Sequence, residues 1–282
     1  RGGGMPIPIP GGRAGGGIGG LGLVILLAFF VLQMCGGGLD PGTGGGGGPR
    51  GGIGGIQAPG PAGSLPEEEE QVEFIKAVVE DVQVTWQEAF AAAGREYEET
   101  TLVLFEDAVS TACGGASSAS GPFYCPADRK VYLDLSFFRE LETRFGAPGD
   151  FAQAYVIAHE FGHHVQTILG ISDSVRRDQQ ANPDRANDLS VRMELQADCF
   201  AGVWAHSVWS QPGEGTVESI TEEDIREGLE AAAAIGDDRL QRQAGRAVNP
   251  ESWTHGSSQQ RMDWFQRGFR EGTAEACDTF DG

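Results

Sequence analysis

The chain has 282 residues and a formal net charge of -21, from 41 acidic and 20 basic side chains. An excess of negative charge repels phosphate backbones, which argues against a nucleic-acid partner. A hydrophobic content of 40%, with 15 Phe and 5 Trp, is enough to fill a core, which excludes a chain that is disordered throughout.

The N-terminal part differs in composition from the rest, because more than half of the 44 glycines precede Pro66. Residues 1–17 and 36–65 are rich in Gly and Pro and offer few side chains to bury, which predicts a tail and a flexible linker. Between them, residues 18–35 carry no charged side chain. As a helix this segment spans roughly 27 Å, close to the ~30 Å hydrocarbon thickness, so we predict a single transmembrane helix.

A cleaved signal peptide is the alternative for residues 18–35, since its apolar region is similarly short. The segment lacks a small-x-small cleavage pattern, and Met34 is too large to precede a lipoprotein-type cysteine at Cys35. We therefore favour an uncleaved anchor. Arg1 and Arg13 precede it, which predicts a single-pass membrane protein with its N-terminus in the cytoplasm and residues 66–282 outside.

Cysteines outside the cytoplasm form disulfides. Four cysteines follow the predicted anchor: Cys113, Cys125, Cys199 and Cys277. They allow three pairings, of which we favour Cys113 with Cys125 and Cys199 with Cys277. None has the C-x-x-C spacing that is typical of a cysteine-ligated zinc site.

Residues 66–282 are predicted to form one domain of the α+β class, mainly helical with a small sheet. Apolar residues recur at a helical period from Pro66 onward. Alternating segments at Thr101–Glu106 and Lys130–Leu135 predict short strands, separated by a Gly/Ser loop. If Lys130–Leu135 is the edge of the sheet, an extended peptide can add to it. The pattern after Ser136 is helical.

One predicted helix contains the stretch "YVIAHEFGHHVQ". Asp150 followed by Gln153 has the spacing of a capping box at its start, and Gly170 is placed to end it. An apolar stripe along this helix predicts the face that is buried: Ala154, Ile157, Phe161, Val165 and Ile168.

His159 and His163 lie one helical turn apart on another face, so the two imidazoles can share a metal. With Glu160 they form the H-E-x-x-H pattern, in which two neutral imidazoles bind Zn²⁺ and the glutamate faces a zinc-activated water as general base and acid. His164 points elsewhere, and we expect it at the surface or at the edge of the core.

A catalytic zinc needs a third protein ligand. On a second predicted helix, Glu194 and Asp198 lie one turn apart on a face that is otherwise apolar, where acids are costly unless they are paired or bind a metal. We predict Glu194 as the ligand and Asp198 as the acceptor for a zinc histidine's other N–H. The alternative is a pair of solvent-facing acids on an amphipathic helix. His206 is the less favoured third ligand.

Ser257 and Gln260 have capping-box spacing, which places His255 just before a helix. There His255 could stabilise the oxyanion of a tetrahedral intermediate, with Arg261 as a further donor or substrate contact. The alternative is a polar loop histidine and a salt-bridged arginine.

The acidic pair in "AIGDDRLQ", Asp237 and Asp238, and the Arg239 that follows it are expected to form local caps or ion pairs, without a catalytic role.

Five separated blocks, "FYCPADRKVYLDLSFF", "GDFAQAYVIAHEFGHHVQ", "SVRMELQADCFAGVWAH", "AIGDDRLQ" and "THGSSQQR", occur in this order. On them, and on the Gly-rich N-terminus and anchor, the chain resembles the bacterial "putative neutral zinc metallopeptidase" family from Pro66 to Phe280.

The resemblance implies a zincin-like fold with one zinc per chain, held by His159, His163 and Glu194, and Glu160 as the catalytic acid and base. His255 is similar to the histidine that precedes a helix in CAAX-prenyl-type proteases, although Gly256 replaces the proline usual there.

The sequence thus predicts a membrane-anchored, outward-facing zinc metallopeptidase that acts on peptide or protein substrates in the cell envelope. Two alternatives remain open: a cell-envelope binding or scaffold protein whose zinc is structural or whose site is dormant, and an enzyme that hydrolyses a non-protein amide by the same chemistry.

Overall fold

The computed structural model describes residues 56–57, 66–213 and 215–280. The predicted transmembrane helix at residues 18–35 and the predicted tail at 1–17 lie outside them. Within the described part of the chain, no helix is long and apolar enough to cross a membrane. Ile56 and Gln57, inside the segment predicted as a linker, form a short strand.

The domain is of the α+β class, mainly helical with small sheets, as predicted. Its strands are β1 (Ile56–Gln57), β2 (Thr101–Phe105), β3 (Ala108–Thr111), β4 (Gly114–Ser117), β5 (Phe123–Cys125) and β6 (Lys130–Asp134). Its helices are α1 (Pro66–Ala92), α2 (Ser136–Thr143), α3 (Asp150–Ile168), α4 (Ile171–Ala181), α5 (Ala186–Ser210), α6 (Glu222–Ala234), α7 (Asp237–Gln243) and α8 (Ser258–Glu271). Short 3₁₀ turns connect them at Ser118–Ser120, Pro183–Arg185, Pro250–Ser252 and Ala274–Cys277.

The main sheet has the strand order β1-β2-β6-β5, in which β1, β2 and β6 are parallel and β5 is antiparallel to β6. The condition for adding a peptide to Lys130–Leu135 is therefore not met, because β6 lies between two neighbours and is not an edge strand. Val131, Tyr132 and Leu133 are all buried, so both faces of β6 are covered. The strand β5 forms the edge beyond β6.

The segment predicted as a Gly/Ser loop between the two strands contains three strands, β3, β4 and β5. Gly is depleted in strands, which is why the sequence pattern missed β4, and β3 has four residues, too few for a clear alternation. They pair with each other as an antiparallel hairpin, and the disulfide between Cys113 and Cys125 ties this hairpin to β5. The second disulfide joins Cys199 of α5 to Cys277. Both pairings are those favoured from the sequence.

The predicted capping box at Asp150 and Gln153 is wrong. Asp150 is already the first helical residue, and Gly149 precedes it with φ 112° and without a side-chain cap. The carboxylate of Glu227, on α6, hydrogen-bonds the backbone of Phe151 and fills the space next to Gly149, where a Cβ would lie 2.1 Å from its oxygen. A cap from a distant element leaves no local signature in the sequence. At the other end Gly170 has φ 79°, as expected of a glycine that ends a helix.

The long central helix α5 packs against α3 on one side and α8 on another. Between α5 and α8 the backbones are in direct contact, because a Cβ at Gly202 would lie 2.1 Å from Phe265 O and one at Gly268 would lie 1.9 Å from Cys199 O. Glycine is therefore required at both positions to bring α8 close to α5.

We expect Gly268→Ala to lower the free energy of unfolding by about 1–3 kcal/mol or more, because the two helices must separate to admit one methyl group. Gly115→Ala is the matched control, since a Cβ there would meet nothing within 4 Å, and it should change stability by less than about 0.5 kcal/mol. Chemical denaturation of the two variants measures both values. Equal stability would contradict the close contact of α5 with α8.

Candidate metal centre

The predicted ligands converge where α3 meets α5. A Cβ at Gly162 would lie 3.0 Å from Ala197 Cα, so the glycine inside the H-E-x-x-H stretch lets α5 approach α3. His159 Nε2 lies 3.2 Å from Glu194 Oε2, and His163 Nε2 lies 3.6 Å from Glu194 Oε1. One ligand atom from each of the three residues lies within 4.8 Å of the other two. The structure therefore brings together the three residues expected to hold a metal.

The hydrogen bonds at Nδ1 of His159 and His163 indicate whether the site can hold a cation. His159 Nδ1 lies 2.8 Å from Asp198 Oδ1, and His163 Nδ1 lies 2.9 Å from Gln166 Oε1. Because both partners are acceptors, each Nδ1 carries the hydrogen, and each Nε2 presents a lone pair toward the Glu194 carboxylate. Two lone pairs and a carboxylate that face one another form the donor set of a zinc site, so the residues fit that metal.

Asp198 accepts from His159, as predicted, but it also belongs to a larger buried network. Arg261 Nε donates to Asp198 Oδ2 and Arg261 Nη2 to Asp198 Oδ1, both at 2.8 Å, and the Tyr155 hydroxyl donates to Asp198 as well. Burial favours the neutral acid, but the charge of Arg261, the neighbouring His159 and the hydrogen bonds from both together outweigh this effect and lower the pKa of Asp198. The carboxylate therefore stays charged behind His159.

The expected role of Arg261 as an oxyanion donor or substrate contact does not agree with its position. Arg261 is 1% exposed and its guanidinium forms the two-point contact with Asp198 described above. An arginine committed to a buried carboxylate holds the hydrogen-bond network in place and does not reach a substrate. Nothing in the local sequence distinguishes these two uses, because Asp198 lies on another helix.

Glu160 is 8% exposed and lies within electrostatic reach of His159, His163 and Glu194. Burial raises the pKa of its carboxyl, while the neighbouring histidines oppose that shift. A carboxyl with a raised pKa is suited to accept a proton and release it again near neutral pH. For Glu194, by contrast, the two histidines outweigh burial and hold the pKa well below its usual range.

His255 lies just before α8, as predicted, and Ser257 with Gln260 forms the expected capping box. Asp237, for which the sequence predicted no catalytic role, contacts this histidine and its loop. Its Oδ2 accepts the backbone N–H groups of Thr254, His255 and Gly256 at 2.8, 2.7 and 3.1 Å. Asp237 thus holds the whole loop that carries His255.

The ring of His255 is also held by Asp237, with Nδ1 3.2 Å from Asp237 Oδ1. Burial lowers the pKa of this imidazole, but the hydrogen bond to Asp237 and the charge of Glu194 outweigh burial and raise it. His255 therefore lies within electrostatic reach of Glu194. Asp238 instead caps α8 through Ser258 and pairs with Arg242.

The remaining histidines have structural partners. His164 is not at the surface, since it is 0% exposed; of the two expected positions, the edge of the core agrees with its partners, because Nδ1 lies 3.1 Å from the Tyr124 hydroxyl and Nε2 lies 2.6 Å from the carbonyl oxygen of Glu98. It joins α3 to the edge strand β5. His206 Nδ1 contacts Phe269 O at 2.7 Å, in agreement with an ordinary helix residue.

Over residues 1–280 the chain matches the protein family described as "Putative neutral zinc metallopeptidase". The chain belongs to this family. The family description agrees with a site made of two histidines and a glutamate.

The Escherichia coli K12 protein named "Uncharacterized protein YpfJ" is 51% identical over 216 residues, which cover 76% of this chain and 73% of that protein. The Mycobacterium bovis protein named "Uncharacterized protein Mb2605" is 47% identical over 189 residues, 65% of this chain and 63% of that protein. No solved structure matches the chain.

Proposed function

We propose that the chain is a zincin-like metallopeptidase that hydrolyses peptide bonds with one zinc ion held by His159, His163 and Glu194. The observation that carries the proposal is the convergence of the two imidazole lone pairs on the Glu194 carboxylate, with Glu160 buried beside them but outside the ligand set. A structural zinc site is usually closed by four protein ligands, whereas three ligand atoms converge here and Glu160 is not among them, so the arrangement favours catalysis over the scaffold alternative.

Zinc in such a site supplies Lewis acidity, which polarises a carbonyl group and brings the pKa of a water molecule toward ~7. The side chains do the rest. Glu160 accepts the proton of the attacking water and passes it to the leaving amine. Asp198 and Gln166 hold the two ligand imidazoles in the tautomer that leaves Nε2 free.

His255 is proposed to stabilise the negative charge that develops on the substrate carbonyl oxygen. Since Nδ1 faces Asp237, only the protonated ring has an N–H at Nε2 to donate to that oxygen. The raised pKa of His255 supports this protonated form. Asp237 is therefore a positioning residue that also keeps the imidazole charged.

We further propose that residues 66–282 act outside the cytoplasm on peptide or protein substrates of the cell envelope, anchored through residues 18–35. Two disulfides support this location, because disulfides persist in oxidising compartments. The anchor itself rests on the uncharged apolar sequence alone.

We expect Glu160→Gln to lower kcat/KM for an internally quenched peptide library by at least about 100-fold, because the variant keeps the side-chain shape but cannot accept a proton. Its zinc content should equal that of the wild type, since Glu160 is not a ligand. Cleavage by the variant at the wild-type rate would refute the assigned role. Cleavage by neither protein, with zinc present in both, would favour the scaffold alternative.

Asp237→Asn should move the alkaline limb of the pH profile of kcat/KM to lower pH. Asp237 raises the pKa of His255, so activity that needs the protonated ring is present below that pKa and is lost as the pH rises through it. Removing the charge lowers the pKa and shifts the loss accordingly. Asp238→Asn is the control, because its carboxylate contacts Ser258 and Arg242 instead. An unchanged limb in Asp237→Asn would exclude His255 as the titrating group.

A further inference from the structure

The C-terminal segment Cys277–Thr279 is attached to α5 on both sides of the ligand Glu194. Before Glu194, Arg192 Nη1 donates to Thr279 O and the Thr279 hydroxyl donates to Arg192 O, both at 2.7 Å. After it, Cys199 forms the disulfide with Cys277. The segment Cys277–Thr279 is thus fixed to the same helix that carries the proposed third ligand.

From Cys277 a line of hydrogen bonds leads to a second ligand. Gln196 Nε2 donates to Cys277 O at 2.9 Å, Gln166 Nε2 donates to Gln196 Oε1 at 3.1 Å, and Gln166 Oε1 lies 2.9 Å from His163 Nδ1. Gln166 and Gln196 are 0% and 4% exposed. In a buried site, hydrogen bonds are shielded from competition by water, so this line is well suited to hold the imidazole.

The partners of Gln166 determine which group donates and which accepts in these hydrogen bonds. Its amide nitrogen also donates to Met193 O at 2.7 Å, the residue before Glu194. With two acceptors at the nitrogen, the amide oxygen must face His163 Nδ1, which then carries the hydrogen. Gln166 therefore links His163 on α3 to the backbone of α5 at the third ligand.

The two ligand imidazoles differ in what holds them. His159 is held by the charged Asp198, which is itself fixed by Arg261. His163 is held by the neutral amide of Gln166, which is linked through Gln196 to the carbonyl of Cys277, the residue that forms the disulfide with Cys199. Because these partners carry no charge, the hold on His163 depends on the positions of the hydrogen-bonding groups rather than on charge attraction.

We propose that Gln166, Gln196 and the disulfide-anchored Cys277 form one positioning unit for His163, so that the C-terminal segment belongs to the metal centre. The inference rests on the zinc site proposed above. It predicts that these residues set the affinity for zinc, whereas a purely structural role would change only the stability of the fold.

Gln166→Met should weaken zinc binding by about 10- to 100-fold, as loss of a hydrogen-bond partner of a metal-bound histidine does. Gln179→Met is the matched control: Gln179 is also a buried glutamine, and its nitrogen donates to Ala186 O and Ser190 Oγ at 3.0 Å, which joins α4 to α5 away from the ligands. The purified chain is titrated with zinc against a chromophoric chelator, and the Tm of each metal-free variant reports its folding.

Gln196→Met is a second test variant, because it removes the hydrogen bond to Cys277 but leaves the contacts of Gln166 with His163 and Met193. Its loss of zinc affinity should be smaller than that of Gln166→Met. The absorption spectrum of bound Co²⁺, which reports ligand geometry, should change in both variants and stay unchanged in Gln179→Met.

The paired disulfide test compares Cys199→Ala/Cys277→Ala with Cys113→Ala/Cys125→Ala, the disulfide of the β3–β4 hairpin. The first pair should lower zinc affinity and the second should not. Equal zinc affinity in Gln166→Met, Gln179→Met and the wild type would overturn the inference while leaving the proposed function intact. A wild-type chain that binds no zinc, or a His163→Ala variant that binds it normally, would instead overturn the proposed function itself.

Discussion

At Gly162 the helices α3 and α5 approach so closely that a Cβ would lie 3.0 Å from Ala197 Cα. The proposed ligands occupy the same stretch of contact, with His159 and His163 on α3 and Glu194 on α5. A larger side chain at Gly162 would push the helices apart and separate the Glu194 carboxylate from both imidazoles. The distance between two helices thus determines whether a metal can be held.

Helices α5 and α8 are also in close backbone contact, and this contact brings the positive charge of Arg261 to the site. Gly202 and Gly268 let α8 lie directly on α5, which carries Arg261 to the buried carboxylate of Asp198. Without this guanidinium, Asp198 would keep its hydrogen bonds to His159 and Tyr155 but would lose its arginine partner, and burial would favour the neutral acid. The close packing at Gly202 and Gly268 therefore helps to set the tautomer of His159, because it places Arg261 beside the Asp198 carboxylate that accepts from His159 Nδ1.

The sequence predicted those features that depend on neighbours within one helical turn or one strand. The H-E-x-x-H spacing, the acids at Glu194 and Asp198, the capping box at Ser257 and the strands β2 and β6 agree with the structure. In each case the feature depends on residues that are close in sequence, so the spacing of the residue types is enough to predict it.

Features set by distant elements could not be predicted in this way. Glu227 caps α3 from α6, and His164 is buried because Tyr124 and the carbonyl of Glu98 supply its partners. Asp237 acts on a loop seventeen or more residues away, as the hydrogen bonds to Thr254, His255 and Gly256 show. Tertiary contacts decide such roles, and a single sequence records only the residue types that take part.

Elemental analysis of the purified chain shows whether α3 and α5 together hold one zinc ion, as we propose. The wild type should contain about one zinc per chain, as should His206→Ala, whose histidine lies on α5 but contacts Phe269 O. Glu194→Ala should lose most of the metal, because two imidazoles alone bind it weakly. A zinc-free wild type, or zinc retained in full by Glu194→Ala, would contradict a zinc site formed by His159, His163 and Glu194.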